Sequence, residues 1–474
     1  LYNQDELVNN VPGNNLINSL PKRKQGLAGR LSYAYDGKYM AEVNMGYNGS
    51  ENFAKGHRWG FFPSIALGYN ISEESFFEPL RKVITSMKLR GSWGLVGNDQ
   101  IGGERFIYMP TINLSGKGFT TGIDQNYGLS GPVYTRYENN SITWEVGEKI
   151  NLGIDLQLLN SLNIVVDIFR ETRRDIFQKK GTIPTYLGTG NTDVFGNLAE
   201  MKNQGLDLSI DYNKAFSKDF YMNFKGTFTY AHNEITKYDE APKYAFQSKV
   251  GQSANVSQGY LSNGLFLDEA EIDRYNQQMG STLGAGDIKY LNVSNMHGYG
   301  DDIVDVDDWT WIGNPTVPEI VYGFGPSFKY KNWDFSFFFQ GVAKTSLFMS
   351  GFHPFGDNSL RNVLQFVAND RWSPTNQNVD AKYPRLTRKT SLNNTNPGNS
   401  GRTSDYWMRD GSFLKLKNME LGYTFKRMRF YISGSNLLTF SKFDLWDPEQ
   451  GGGSGLKYPT QRVFNVGFQM TFNN

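Results

Sequence analysis

The strongest constraint on this chain is a period of two. Phe464, Val466, Phe468, Met470 and Phe472 alternate with Asn465, Gly467, Gln469 and Thr471. The same rhythm runs through Leu152, Ile154, Leu156 and Leu158, and through Leu206, Leu208, Ile210 and Tyr212. It returns in Met222, Phe224, Phe228 and Tyr230, and again in Trp333, Phe335, Phe337 and Phe339. Successive side chains of a strand point to opposite faces, so each stretch is a strand with one apolar face. A helix would need a period near 3.6 and would scatter these residues around its circumference.

Composition agrees where it bears on that choice. Aromatic residues make up 15% of the 474 residues and there are 51 glycines, a balance that suits strands and turns better than helices. The net charge of +1 leaves no basic field, so nucleic acid is not an expected partner. With no cysteine, disulfides, thiolate catalysis and Cys-zinc sites are excluded. His57, His232, His297 and His353 are widely spaced, which does not suggest a histidine metal cluster. No apolar run approaches the ~18 residues of a membrane helix. A β-barrel has no such requirement, because it crosses on tilted strands of about ten residues.

A water-soluble sandwich would show the same period, but the connections point elsewhere. Strands are expected at 25–36, 38–48, 60–71, 82–96, 141–159, 162–178 and 194–212, then at 219–234, 319–330, 333–344, 411–425, 428–440 and 461–472. Between them, short turns such as Asp36-Gly37, Asn160-Ser161, Lys331-Asn332 and Lys426-Arg427 alternate with segments as long as 235–318 and 345–410. Short turns at one end and long loops at the other are the periplasmic and extracellular ends of an outer-membrane barrel. The expected fold class is therefore all-β, a transmembrane antiparallel β-barrel with about 13 strands in this chain. Bacterial barrels close on an even number, so an odd count implies a chain that is incomplete alone. In 411–425 the apolar face switches from Leu414 and Leu416 to Met419, Leu421 and Tyr423, which reads as a β-bulge near Lys417-Asn418.

Several stretches resemble the SusC-like family of TonB-dependent outer-membrane transporters, of the starch-utilisation type. They are RWGFFPSIALGYNISEE, LRGSWGLVGND, GDIKYLNV, VDVDDWTWIGNP, AKYPRL, YWMRDGSFLKLKNMELGYTF, YISGSNLLTFSKFDLWDPE and YPTQRVFNVGFQMTF. The resemblance runs from about Arg30 to Phe472. It implies a barrel of about 22 strands, of which residues 1–474 would be the C-terminal part. The plug domain, the N-terminal strands and the TonB-contact segment would then lie outside this chain. The resemblance further implies an outer-membrane location in a Gram-negative bacterium, active import driven through TonB, and a SusD-like surface lipoprotein acting as a lid. The implied cargo is an oligosaccharide or, in some members, an oligopeptide. A passive channel or adhesin barrel is the rival from outside the transporter class. Segment 97–140, rich in Gly, Asn and Tyr without strand periodicity, is the expected contact for the lid.

One stretch invites chemistry: GYGDDIVDVDDWTWIGNP, residues 298–315, with five carboxylates. In the family its equivalent resembles a calcium loop, D-x-N-x-D-G-x-I-D-x-x-D. Aligned on Gly-Asn-Pro, the resemblance places Asp301, Asp305 and Asp308 at three ligand positions. His297 and Tyr299 fall where two further oxygens belong, and Asp302 falls where the loop wants glycine. Three ligands then stand where about six are wanted, so Ca2+ is a possible but not required cofactor. The other reading is an acidic loop end whose carboxylates cap turns. Adjacent loop acids such as Asp305 and Asp307 lack the burial that tunes a glycosidase pair, so no enzyme is expected. Sugars stack on aromatic platforms, and Trp309, Trp311, Trp372, Tyr406, Trp407 and Trp446 lie in or beside the long loops. They are the candidate substrate contacts; anchoring of the loop core is the preferred role for each, with Trp372 and Trp407 the best exceptions.

Overall fold

The computed structural model describes residues 2–6, 22–102, 105–184, 186, 192–275, 277–278, 283–352, 355, 361–388, 394 and 403–472. All thirteen expected strands are present, each within four residues of its expected bounds. In chain order the sheet strands are β1 (Tyr2–Glu6), β2 (Lys22–Tyr35), β3 (Tyr39–Ser50), β4 (Trp59–Asn70), β5 (Ile84–Asn98), β6 (Glu145–Leu158) and β7 (Leu162–Lys179). They continue with β8 (Phe195–Ala215), β9 (Phe220–Lys237), β10 (Ile320–Tyr330), β11 (Trp333–Ala343), β12 (Phe413–Phe425), β13 (Met428–Ser441) and β14 (Val463–Met470). Each strand neighbours the next in sequence, an up-and-down meander. Among the described residues β1 brings the sheet to fourteen strands, against the thirteen expected. Its sequence, Tyr-Asn-Gln-Asp-Glu, has no apolar alternation to announce a strand, and it pairs with the edge of β2 through backbone hydrogen bonds.

The chain divides into two compact units. The first comprises Leu1–Leu208, Ala231–Ala241 and Lys249–Gln252. In it the apolar faces of β2, β3, β4, β6 and β7 are open: Leu31, Val43, Ile65, Leu67, Leu152 and Ile168 are all exposed. Tyr39 stacks on Tyr69 (ring centroids 5.1 Å) at the short-turn end, and Tyr47 stacks on Trp59 (4.8 Å) at the other. Tyr39 and Tyr47 are eight residues apart, roughly 27 Å of strand at ~3.4 Å per residue. At the ~40° tilt of barrel strands that becomes roughly 20 Å along the membrane normal, close to the ~25 Å apolar band between aromatic girdles. An exposed apolar band bounded by aromatic pairs is a face built for lipid, not for water. The opposite face is ionic. Arg90 binds Asp155 (2.7 Å) and Asp167 (3.0 Å) across three strands. Gly153 lies beneath the group, where a Cβ would come within 2.5 Å of the Asp167 carboxylate.

The turns follow from local chemistry. Asp36 and Gly37 both have positive φ (50° and 65°), the two-residue hairpin geometry that matches strand twist. Segment 97–140, expected to lack strands, contains the hairpin Thr111–Thr121 with Tyr127–Arg136. Its register shifts three times, and each shift resets the side-chain alternation by which a strand is read from sequence. Below the hairpin, Phe53, Ile101, Ile107, Ile142 and Trp144 form a small buried core.

The second unit comprises Ser209–Tyr230, Pro242–Ser248 and Ser253–Asn474. Its sheet repeats the two-faced plan. Leu421, Ile432 and Val466 share one register row on the apolar side. Arg429 pairs with Asp334 and Glu420 on the polar side. The expected bulge in β12 is present, with register shifts between Leu416 and Asn418 and between Phe338 and Phe339. Among the described residues no helix is long and apolar enough to cross a membrane.

Candidate functional site

The described residues of the long loops in the second unit fold against one another. Segments 242–318, 345–411 and 441–460 close on one apolar core that includes Tyr260, Leu265, Tyr290, Met349, Phe355 and Tyr383. Short strand pairs close the segments on themselves: Ser257–Gly259 with Thr310–Ile312, Ser262–Leu265 with Ile288–Tyr290, and Ser346–Phe348 with Met408–Asp410. Single bridges, Tyr260 with Ser404 and Met349 with Gly453, link one segment to the next. At the base of the core the fully buried Asp287 accepts hydrogen bonds from Arg385 and from Asn394 (2.6 Å). A buried carboxylate is tolerated only when paired in this way.

This core claims most of the expected ligand platforms. Trp407 is 0% exposed and Trp372 is 5% exposed, both within the core. Tyr406 donates its hydroxyl to the Ala381 carbonyl (2.7 Å), and burial pushes its hydroxyl pKa up. Trp446 packs on the core and donates Nε1 to the Gly451 carbonyl (3.0 Å), while Trp311 donates to the Ser248 carbonyl (2.8 Å). The expectation of stacking platforms is corrected for Trp372 and Trp407: their rings face neighbouring loop residues, leaving no face for a cargo. Of the six residues, only Trp309 is largely open, at 40% exposure. The structure adds an aromatic set that the sequence reading missed. Phe246 stacks between Tyr244 (5.5 Å) and His297 (4.6 Å), and Tyr299 lies against Tyr244 (4.1 Å). About fifty residues separate the two halves of that ladder, so no local pattern could show it. His353 lies outside the described residues.

The acidic stretch is a capping assembly. Asp305 caps the turn Val306–Asp308, accepting from the Asp307 amide (2.8 Å), while the Asp308 carboxylate accepts from the Asp305 amide (2.8 Å). The other Asp308 oxygen accepts from the Ser294 amide (2.9 Å), and Asp308 is fully buried. Asp301 accepts from the Ser294 hydroxyl (3.2 Å), the Ile303 amide (3.3 Å) and the Asn292 side chain (3.1 Å). Asp307 is bound by Lys243. Burial pushes the Asp308 carboxyl up, and the nearby Asp301 charge adds to that, against the pull of its hydrogen bonds from Ser294 and Asp305.

Against this geometry stands one finding from known proteins. The family model "TonB dependent receptor-like, beta-barrel" matches residues 2–437. The chain belongs to that family. Among curated relatives, "TonB-dependent receptor P3" of Formosa agariphila is 27% identical over 94% of this chain and 45% of its own length. "TonB-dependent receptor SusC" of Bacteroides thetaiotaomicron is 28% identical over 94% of this chain and 43% of its own length. The chain thus spans about half the length of the curated relatives it matches. Its fold matches the "RagAB peptide transporter" at a TM-score of 0.69 and 21% identity, over 98% of this chain and 50% of that one. As a TonB-dependent receptor barrel, the chain resides in the outer membrane of a Gram-negative bacterium.

For this receptor barrel the calcium reading can now be tested on donors. Calcium takes six to eight oxygens, roughly. Here Asp301, Asp305 and Asp308 spend their oxygens on protein N–H and O–H groups. The side-chain amide of Asn292 sits amid the oxygens a cation would gather: the Asp301 carbonyl (2.8 Å), the Asp301 carboxylate (3.1 Å) and the Ile303 carbonyl (3.3 Å). Among the described residues no group of three or more His, Cys, Asp or Glu is placed to hold a metal. The donor set does not fit calcium.

Proposed function

We propose that the chain forms part of the barrel wall and the loop module of an active importer for an oligomeric nutrient, an oligosaccharide first of all. One observation carries this reading. A sheet with a lipid face on one side and a charged inner face on the other bears, at one end only, long loops folded into a module around their own core. A passive pore needs no such module. In this reading the chain is the C-terminal part of the barrel, energy comes through TonB, and a SusD-like lipoprotein serves as the lid. The exposed Leu114, Phe119 and Ile123 of the hairpin are the apolar contacts offered to that lid. The SusC relative supports the SusC-type assignment. The solved peptide transporter supports oligopeptide as the second cargo. Catalysis has no support in the acidic stretch, since Asp305 and Asp307 are held by a cap and by Lys243.

The test is uptake in the native host. Cells carrying the gene should accumulate fluorescent oligosaccharide, gene-deleted cells should not, and a protonophore should abolish accumulation. Uptake that persists with the protonophore would make the protein a passive channel. Accumulation of fluorescent oligopeptide alone would select the peptide alternative.

A further inference from the structure

A second feature of the loop module has the form of a ligand site. A cavity of about 530 Å³ lies in the second unit, where the inner face of β11 meets segments 345–350 and 448–453. That volume is within the ~300–1,000 Å³ of small-ligand pockets. Its walls are of two kinds. Val342, Phe348 and Phe413 are apolar, while Gln340 and Ser350 are polar. Among the described residues the Gln340 amide and the Ser350 hydroxyl make no side-chain hydrogen bond, so both remain available to a ligand.

Charge narrows the ligand. Among the described residues Glu449 is the one ionisable residue in the lining. Lys415 (2.8 Å) and Lys417 (2.8 Å) both bind its carboxylate, and Lys415 also binds Asp447. The cavity therefore offers no uncompensated charge. A charged group entering it would lose hydration without gaining a partner. The strap that closes one side requires glycine. A Cβ on Gly452 would lie 2.5 Å from the Phe348 carbonyl, and the Gly453 amide donates to that same carbonyl (2.8 Å).

We propose that this cavity is a subsite for an uncharged sugar unit of the cargo. The C–H face of the ring lies on Phe348, with Phe413 buried behind it, and its hydroxyls meet the Gln340 amide and the Ser350 hydroxyl. Peptide units are disfavoured because charged side chains and termini would find no counter-charge on the wall. This inference rests on the import reading above and specifies its cargo.

Binding to the whole transporter, purified in detergent from its native host, tests it. The probes are maltoheptaose, cellohexaose, laminarihexaose and xylohexaose, with a library of uncharged hexapeptides alongside. At least one oligosaccharide should bind. Gln340→Leu, close in size and without the amide, should weaken it about tenfold, and the cavity-filling Val342→Trp at least as much. The gel mobility of unheated protein confirms that each variant is folded. Unchanged affinity in both folded variants overturns the inference and leaves import standing. Binding of peptides alone, or of no oligosaccharide in the set, also overturns it. Failure of the import reading shows separately, as uptake insensitive to the protonophore.

Discussion

The side-chain amide of Asn292 holds Asp301 twice, through its backbone carbonyl at 2.8 Å and its carboxylate at 3.1 Å. The other end of the same side chain accepts from the Asn295 amide (2.7 Å) and shares the single Ser294 hydroxyl proton, Oγ at 3.0 Å, with the Asp301 carboxylate. One uncharged residue thus organises the acidic stretch from its centre.

Because that centre is an amide, loop order should follow Asn292 and not calcium. Thermal unfolding of the purified protein should be the same in millimolar calcium and in chelator. A bound cation would instead raise stability with concentration, by RT ln(1 + [L]/Kd). Asn292→Ala removes several buried hydrogen bonds and should cost about 2–4 kcal/mol locally, at roughly 1 kcal/mol net for each bond. Hydrogen exchange across 292–308 reads that loss directly.

Trp407 and Trp309 should separate structure from binding. Trp407 is enclosed, so Trp407→Ala leaves a large cavity and should destabilise the loop module by about 3–5 kcal/mol. Proteolysis of 345–411 in the native fold should rise accordingly. Trp309→Ala removes a ring that is 40% exposed and should leave proteolysis unchanged. A loss of cargo affinity in Trp309→Ala without a loss of stability would mark that ring as a contact.

The strands were legible because one face of each is lipid-exposed, and the membrane enforces alternation along Phe464 to Phe472 and Leu152 to Leu158. Even the bulge at Lys417-Asn418 showed as a break in phase. The loops were opaque for the opposite reason. Their core joins Tyr260 to Tyr383 and Trp407, each more than a hundred residues further along the chain, and contacts that distant leave no local period. Trp372 and Trp407 looked like platforms because tryptophan in a long loop is ambiguous until the loop is known to have an interior. The acid cap was half visible. Asp305 and Asp308 have the spacing of a capping box, but the role of Asn292 depends on a turn that the sequence does not display.

Two acidic groups of the loops should respond to pH in opposite directions. Burial raises Asp447, but Lys415 and the Glu449 amide pull it down further, so its carboxyl ends below the usual range. Its contribution is present above the unfolded pKa and is lost as pH falls through the folded one. Asp308 is raised by burial, so its contribution is full below the ordinary value of 3.8 and is lost as pH rises through its folded pKa. On acidification from neutral, hydrogen-exchange protection corrected for intrinsic rate should fall at 447–451 and rise at 292–308. Changes of the same sign in both segments would contradict this assignment.

The two faces of β13 should tolerate charge unequally. Ile432 lies in a register row with Leu421 and Val466 and is 56% exposed, on the side assigned to lipid. Ser433, the next residue, pairs with Glu420 on the inner side. Arginine at Ile432 must leave its charge in hydrocarbon near the middle of the apolar band, at a cost of about 2–4 kcal/mol. Arginine at Ser433 enters a polar groove beside the Glu420 carboxylate and should be nearly neutral. Refolding into lipid vesicles, scored as the fraction of protein with folded gel mobility before heating, should drop for Ile432→Arg and hold for Ser433→Arg. Equal refolding of the two variants would mean that the exposed apolar row does not face lipid, and the assignment of faces along the whole sheet would have to be reversed or abandoned.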